Sequence, residues 1–192
     1  MMAPTTVTAT AAVAAEAIEA RAAWAVSASL AARSPARLGT GTLLGPDVTV
    51  GELRPLGGPL TVAARVGLVL GAEDDLTWHV HHTELWLLAR ARTQLRLGRG
   101  RVGLALSAGL VALHEARTRH QADRLVQAGQ ATREATWTAG PAGALEAELE
   151  LEVLEGWDLL LAGGPSLAGL RGTDTSAPAW GWGARLGVVV RP

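Results

Sequence analysis

Apolar and polar residues alternate along much of the chain, most clearly in the segment GALEAELELEVLEGW at residues 143–157. Glu146, Glu148, Glu150 and Glu152 occupy every second position there, and small or aliphatic residues stand between them. Successive side chains of a β-strand point to opposite faces, so this pattern predicts a strand with one row of carboxylates and one apolar row. A helix would scatter the four glutamates around its circumference. The pattern therefore favours a strand, although Ala, Leu and Glu are good helix formers.

The same alternation, interrupted by clusters of Gly, Pro, Asp and Ser, predicts eight strands. Their approximate limits are 17–32, 38–53, 60–70, 76–97, 102–117, 132–154, 159–171 and 179–191. Tight connections at 54–59, 98–101 and 155–158 alternate with mostly longer, more polar ones at 33–37, 71–75, 118–131 and 172–178. Alternate connections of an up-and-down chain lie at the same end, so the tight turns share one end with both termini. The expected fold class is all-β, a single eight-stranded antiparallel meander closed into a barrel without free sheet edges.

The alternation also shows local irregularities. Trp86 and Leu88 stand where the fourth strand is otherwise polar, which predicts a register shift there. Pro141 and Pro165 fall inside strands, where we expect a bulge or a strand end because proline cannot donate to the ladder. Residues 1–16 are expected to form a flexible N-terminal segment before a barrel domain at 17–192.

The same N-terminal residues lack a basic region and include Glu16, so they do not form a signal peptide as written. Either the chain is not exported or its leader has been replaced by a starting Met. No stretch of 18 apolar residues is present, which excludes a transmembrane helix.

The two faces of the predicted strands can be oriented in two ways. In a soluble barrel the aliphatic face fills the interior, whereas in a membrane barrel it meets lipid and the interior is polar. The fifth strand carries a face made only of Gly, Ala and Ser, at 103–109, which leaves space on one side. Arginines of the fourth strand, joined by others such as Arg65, can reach over that space to the glutamates of the sixth and pair with them. This favours the membrane arrangement, although Glu and Arg ladders also occur on solvated faces of soluble barrels.

Two sets of residues follow from the membrane arrangement. The expected charge network of the lumen comprises Glu146, Glu148, Glu150, Glu152, Arg90, Arg92, Arg96, Arg101 and Arg185. The expected lipid-facing belt includes Leu104, Leu106, Leu110, Trp180, Trp182, Leu186 and Val188.

Composition narrows the function classes. The 192 residues contain no cysteine, which excludes disulfides and thiolate metal sites, and the net charge of −1 gives no reason to expect a nucleic-acid partner. All 17 basic residues are arginine, and Lys, Asn, Phe and Tyr are absent. These missing residues mostly use AT-rich codons, so we expect a GC-rich bacterial gene. The shortage of aromatic residues therefore does not argue against a membrane barrel.

Candidate chemistry is sparse. Alternation places His79 and His81 on one face and His82 with Glu84 on the other, a set that can bind a divalent metal but that we interpret as a polar strand end. The serines in the Gly/Ala runs, Ser107 and Ser166, have no nearby His–Asp pair. We therefore expect no catalytic residues, no cofactor, no metal and no enzymatic activity.

The strand cadence, the Gly-rich segments VGLALSAGL and LLLAGGPSLAGL, and the ending WGWGARLGVVVRP resemble the small outer-membrane β-barrels of Gram-negative bacteria, the OmpA/OmpX-like class. The resemblance covers about residues 17–191. The ending resembles the terminal strand that the barrel-insertion machinery reads, which usually finishes in an aromatic residue, whereas this chain finishes in Pro192.

The resemblance implies an outer-membrane location, with outer-membrane lipid or detergent around a monomer. It also implies a filled lumen without an open pore and a structural, adhesive or interaction role, carried by a loop partner at the end opposite the termini. The alternatives are a soluble lipocalin-like barrel, periplasmic or cytoplasmic, that binds a small apolar ligand, and an outer-membrane acyltransferase or protease.

Overall fold

The computed structural model describes residues 25–35, 42–53, 60–74, 78–119, 133–169 and 179–191. They form eight strands: β1 (Val26–Pro35), β2 (Leu43–Leu53), β3 (Leu60–Asp74), β4 (Trp78–Leu97), β5 (Gly100–Arg119), β6 (Arg133–Leu154), β7 (Trp157–Ala168) and β8 (Ala179–Val190). Each strand pairs antiparallel with the next, and β8 pairs with β1 to close the barrel. The predicted eight-stranded meander is confirmed, including a strand over 143–154.

Several strand limits differ from the prediction. Residues 33–35 belong to β1 and residues 71–74 to β3, although both stretches were expected in connections. Asp158 belongs to β7, because the turn before that strand is only Glu155–Gly156. The predicted N-terminal segment 1–16, the start of the first predicted strand at 17–24, the turn 54–59 and the connection 172–178 lie outside the described residues.

The expected register shift at Trp86 and Leu88 is wrong. β4 pairs with β3 and with β5 in unbroken register through both residues. Both side chains are buried on the same face as Arg90, so the inner face of β4 simply carries large apolar residues as well as charged ones. The expectation that inward-facing residues of β4 are polar fails here because an apolar cluster occupies this part of the lumen.

Neither proline produces a bulge. The register shifts lie between Val50 and Leu53 and between Glu152 and Leu154. The carbonyl of Pro141 accepts a hydrogen bond from the backbone N–H of Gly169 at 2.7 Å, so its missing N–H also faces the β7 side, where that strand has ended. Pro165 lies where the β6–β7 ladder is interrupted without a change of register.

The stagger of the strands sets the width of the barrel. A path through directly paired residues leaves β8 at Trp180, circles the barrel and returns to β8 at Val190, a stagger of ten residues. With a rise of about 3.3 Å per residue and about 4.8 Å between strands, this stagger implies a tilt of about 40° and a backbone radius of about 8 Å. Such an interior accommodates side chains but no wide channel.

The two ends of the barrel differ. The turns Gly98–Arg99 and Glu155–Gly156 lie at the same end as Val26 and Val190, and we call this the turn end. Gly98 and Gly156 have φ of 62° and 75°, a backbone conformation that glycine adopts without steric cost. At the opposite end, the loop end, β4, β5 and β6 have 20 to 22 residues and project beyond β1, β7 and β8, which have 10 to 12.

Candidate functional site

The glutamate row of β6 faces the inside of the barrel. Glu146, Glu148 and Glu150 are each at most 4% exposed, whereas Leu145 and Leu151 on the opposite face are 48% and 43% exposed. Strand alternation alone produces this division, because every second side chain points inward. Three carboxylates are thus removed from water and need cationic partners.

Arg185 of β8 lies at the centre of the network. Its guanidinium approaches Glu146 at 2.9 Å, Asp47 at 3.1 Å and Glu148 at 3.2 Å, and its side chain is 1% exposed. Arg65 of β3 joins the same group through Asp47 at 2.7 Å and Glu146 at 3.1 Å. Carboxylates from β2 and β6 therefore share cations from β3 and β8.

Arg90 and Arg92 of β4 supply further cations. Arg90 donates to Glu148, and Arg92 donates to Glu150 at 2.7 Å. These contacts cross the inner face of β5, where Ser107 stands opposite Arg90 and Ala105 opposite Arg92 in the register. The small residues of β5 thus leave the space through which the arginines reach β6.

Glu150 is also shared at the turn end. Arg191 donates to it, and Arg101 approaches it at 3.5 Å. Asp158 accepts a hydrogen bond from Arg101 at 2.7 Å and pairs with Arg191. The arginines that surround Glu150 at the turn end are therefore also paired with a second carboxylate, that of Asp158.

Arg96 and Glu152 do contact each other, at 3.5 Å, but not inside the lumen. Their side chains are 68% and 34% exposed. This pair lies near the turn end in a solvent-accessible position, so it contributes little to stability.

A separate charged group lies toward the loop end. Arg33 of β1 pairs with Glu84 of β4, which is fully buried. The Trp86 indole donates its Nε1–H to Glu84 at 2.9 Å, and the Arg33 guanidinium lies 4.4 Å from the centre of the Trp86 ring. Arg33 also donates from Nε to the Ser166 hydroxyl at 3.3 Å.

Sequence reasoning missed several members of this interior. Asp47, Asp158, Arg33 and Arg191 were not among the predicted network residues. Arg33 and Asp158 stand in stretches whose Pro, Ser and Gly content indicated connections, so their facing was not considered. For Asp47 the alternation itself was a usable signal, since Val48 and Val50 flank it on the other face.

Apolar side chains also occupy the lumen. One cluster surrounds Trp86 toward the loop end and comprises Ala31, Leu43, Val69, Trp86, Leu88, Val111, Leu113, Ala142 and Ala168. A smaller cluster of Ala25, Leu160, Ala162 and Val189 lies beside the charges. Two interior cavities have volumes of about 40 and 20 Å³.

The outer surface is strongly apolar. Of the residues predicted for the belt, Leu104, Leu106, Leu110, Trp180, Trp182 and Leu186 are 56–68% exposed, and Val188 is half-buried. On β5 the outward apolar positions run from Val102 to Ala112. At a tilt of about 40° this span covers about 25 Å along the barrel axis, which matches the roughly 25 Å apolar band of transmembrane barrels.

Exposed tryptophans occur toward both ends of the apolar surface. Trp157 begins β7 at the turn end, whereas Trp180 and Trp182 begin β8 from the loop end. Trp137 is 69% exposed and its ring lies 4.4 Å from that of His114. This distribution is typical of the aromatic girdles of membrane barrels.

The histidine segment is divided between the two faces of β4. His82 is buried and its Nδ1 lies 3.7 Å from a Glu115 carboxylate oxygen, whereas His81 is exposed and His79 contacts Asp74. Within the described ranges, no group of three or more His, Asp or Glu side chains could hold a metal ion.

The described part of the chain contains no helix long and apolar enough to cross a membrane. No protein-family model matches the chain, and no curated protein matches its sequence.

Solved structures do share the fold. Neisserial surface protein A (NspA) is 13% identical with a TM-score of 0.57, and the match covers 88% of this chain and 97% of that protein. Ail, the attachment invasion locus protein of Yersinia pestis, is 12% identical with a TM-score of 0.58, covering 89% and 99%. A major outer membrane protein from Thermus thermophilus is 13% identical with a TM-score of 0.52, covering 88% and 99%. This chain therefore has the fold of small bacterial outer-membrane barrels.

Proposed function

We propose that this protein spans a bacterial outer membrane as a monomeric barrel with a closed, non-conducting lumen, and that it serves as a surface adhesin through its loop end. The membrane placement rests on one observation. Charged side chains face the inside of the barrel and apolar side chains face the outside, which is the reverse of a soluble protein. Buried residues include Glu150 and Arg185, whereas exposed ones include Leu106 and Leu186.

The outer surface is unsuited to water. Twenty-seven large hydrophobic side chains are exposed on the described strands, and they occur on all eight of them. Monomeric soluble proteins rarely expose contiguous apolar patches larger than a few hundred Å². In a bilayer the same surface contacts hydrocarbon, and closure of the sheet pairs the backbone groups that lipid cannot satisfy.

The interior argues against a lipocalin-like function. A pocket for a small apolar ligand requires an apolar cavity of about 300–1,000 Å³. The two cavities have about 40 and 20 Å³ and are lined partly by Arg65, Glu146, Arg90 and Glu148. The same filling, with a backbone radius of about 8 Å, supports a closed rather than a conducting lumen.

The adhesive role is supported by the shape of the loop end and by the similar structures. The projecting parts of β4, β5 and β6 present a sheet beyond the loop-end limits of β1, β7 and β8. The name of the similar Yersinia pestis protein is attachment invasion locus protein, and a second Ail structure, with a TM-score of 0.57, contains the heparin analogue sucrose octasulfate. An enzymatic role has less support, because Ser107 and Ser166 are buried in the lumen.

The membrane placement is testable by site-directed spin labelling, because the chain has no cysteine of its own. Two single-cysteine variants of the full chain would be spin-labelled and refolded into lipid vesicles. They are Leu106→Cys, on the outer face of β5, and Arg99→Cys, in the turn. We expect the label at 106 to be relaxed more strongly by oxygen, which dissolves in lipid, and the label at 99 by a water-soluble nickel complex. Preferential nickel relaxation at 106 would contradict membrane insertion.

The adhesive role has its own test. Bacteria that express the full chain on their surface should adhere to cultured epithelial cells more than bacteria with an empty vector. Replacement of residues 120–132 by a Gly/Ser segment of equal length should abolish the difference while surface expression persists. Equal adherence of the expressing and the empty-vector bacteria would refute the role.

A further inference from the structure

The smaller interior cavity is lined by residues of β1, β2, β3, β4, β6, β7 and β8. It has a volume of about 20 Å³, and its walls include Thr49 of β2, Arg90 of β4 and Glu148 of β6, with Leu160 and Val189 on the apolar side. All five of these residues are less than 9% exposed. The cavity is therefore an internal feature of the lumen and not a groove on the surface.

Three polar atoms at this cavity are buried without a hydrogen-bond partner in the protein, namely Thr49 Oγ1, Arg90 Nε and Glu148 Oε2. The Arg92 guanidinium is 3.8 Å from Glu148 Oε2, beyond hydrogen-bond distance. Buried polar groups are rarely left unsatisfied, and buried waters commonly bridge such groups. Three residues of the cavity wall, on three different strands, thus each have a buried polar atom that needs a partner.

We infer that this cavity binds one structural water molecule that links Thr49, Arg90 and Glu148. A water needs about 10–15 Å³ and two to four polar partners, and the cavity supplies both. The chemistry of the wall favours water over an ion. Arg90 and Arg92 repel a cation, Glu148 repels an anion, and the donor Nε–H together with the acceptor Oε2 matches a neutral molecule that both accepts and donates.

The site can be tested by NMR on the full barrel in detergent micelles. Rotating-frame spectra distinguish dipolar contact with water from chemical exchange, because the two effects have opposite signs. We expect a dipolar cross-peak between the Arg90 Nε–H and water. Thr49→Val, which keeps the shape of the side chain but removes the hydroxyl, should lose this cross-peak, and Thr49→Ser should retain it.

Ser107→Ala is the matched control. The Ser107 hydroxyl is likewise buried without a partner in the protein, but Ser107 is not part of the wall of this cavity. The Arg90 cross-peak should therefore survive that change. The inference is overturned if the parent protein shows no dipolar contact between Arg90 and water, or if Thr49→Val leaves the contact unchanged.

Discussion

Arg33 of β1 and Glu84 of β4 form an ion pair inside the barrel although 51 positions separate them in the sequence. β1 and β4 are not neighbours in the sheet, so the pair spans part of the lumen. Trp86 covers the guanidinium and donates to the same carboxylate. This contact connects non-adjacent walls of the barrel independently of the central network around Arg185.

The first prediction concerns the coupling of that pair. Glu84→Leu leaves Arg33 buried without its carboxylate and should destabilise the barrel by about 3–5 kcal/mol. The double variant Arg33→Met with Glu84→Leu should be less destabilised than the sum of the single variants, by about 0.5–3 kcal/mol. Urea unfolding in lipid vesicles, followed by tryptophan fluorescence, gives the free energies. Strict additivity of the two single changes would contradict a direct interaction.

The second prediction concerns the glutamate row. Glu150→Leu removes the carboxylate that several arginines share, including Arg92 at 2.7 Å. These guanidinium groups then lose this partner, so the free energy of unfolding should fall by about 3–5 kcal/mol. Glu152→Leu is the matched control two positions along the same strand. Its side chain is 34% exposed, so we expect a change of at most about 1 kcal/mol. Equal and small effects of the two substitutions would mean that the row is solvated throughout.

The strands were predictable because alternation is a local property of the chain. Each predicted segment overlaps a strand of the structure, and the turns at Gly98 and Gly156 have the residues that such turns need. The closed meander follows from the number of strands and from the alternation of short and long connections. The local pattern and the lengths of the connections were thus almost sufficient to predict the fold.

The membership of the charged interior was less predictable. It depends on which distant strands face each other at one height, and no local pattern encodes that. Arg185 contacts Asp47 across 138 positions, and its position on β8 alone does not identify that partner. Strand ends matter as well: Arg33 and Asp158 are buried because β1 and β7 extend further than their turn-like sequences suggest.

The third prediction concerns Trp86. Trp86→Phe keeps an aromatic ring in the loop-end cluster but removes the Nε1–H that donates to Glu84. A hydrogen bond to a buried charged group contributes about 1.5–3 kcal/mol, so a loss of that order is expected in the free energy of unfolding. Trp137→Phe, at an exposed position, is the control and should change stability much less. A larger effect at Trp137 than at Trp86 would contradict the assigned contact.

The last prediction concerns the outer face of the barrel and the depth of the bilayer. Leu106 lies in the middle of the outward apolar span of β5, and Leu97 ends β4 beside the turn; both are more than half exposed. Arginine costs about 2–4 kcal/mol on the lipid face at the bilayer midplane and about 0–1 kcal/mol near the interface. Leu106→Arg should therefore lower the free energy of unfolding in lipid vesicles by several times more than Leu97→Arg.

The same pair of substitutions separates a membrane barrel from a soluble one. On a water-exposed surface, arginine in place of an exposed leucine costs little at either position, since surface substitutions usually change stability by no more than about 0.5 kcal/mol. Both variants would then unfold at nearly the same urea concentration as the parent protein. A depth-dependent loss, large at 106 and small at 97, requires hydrocarbon around the middle of β5. Equal and small effects at the two positions would instead place the aliphatic face in water.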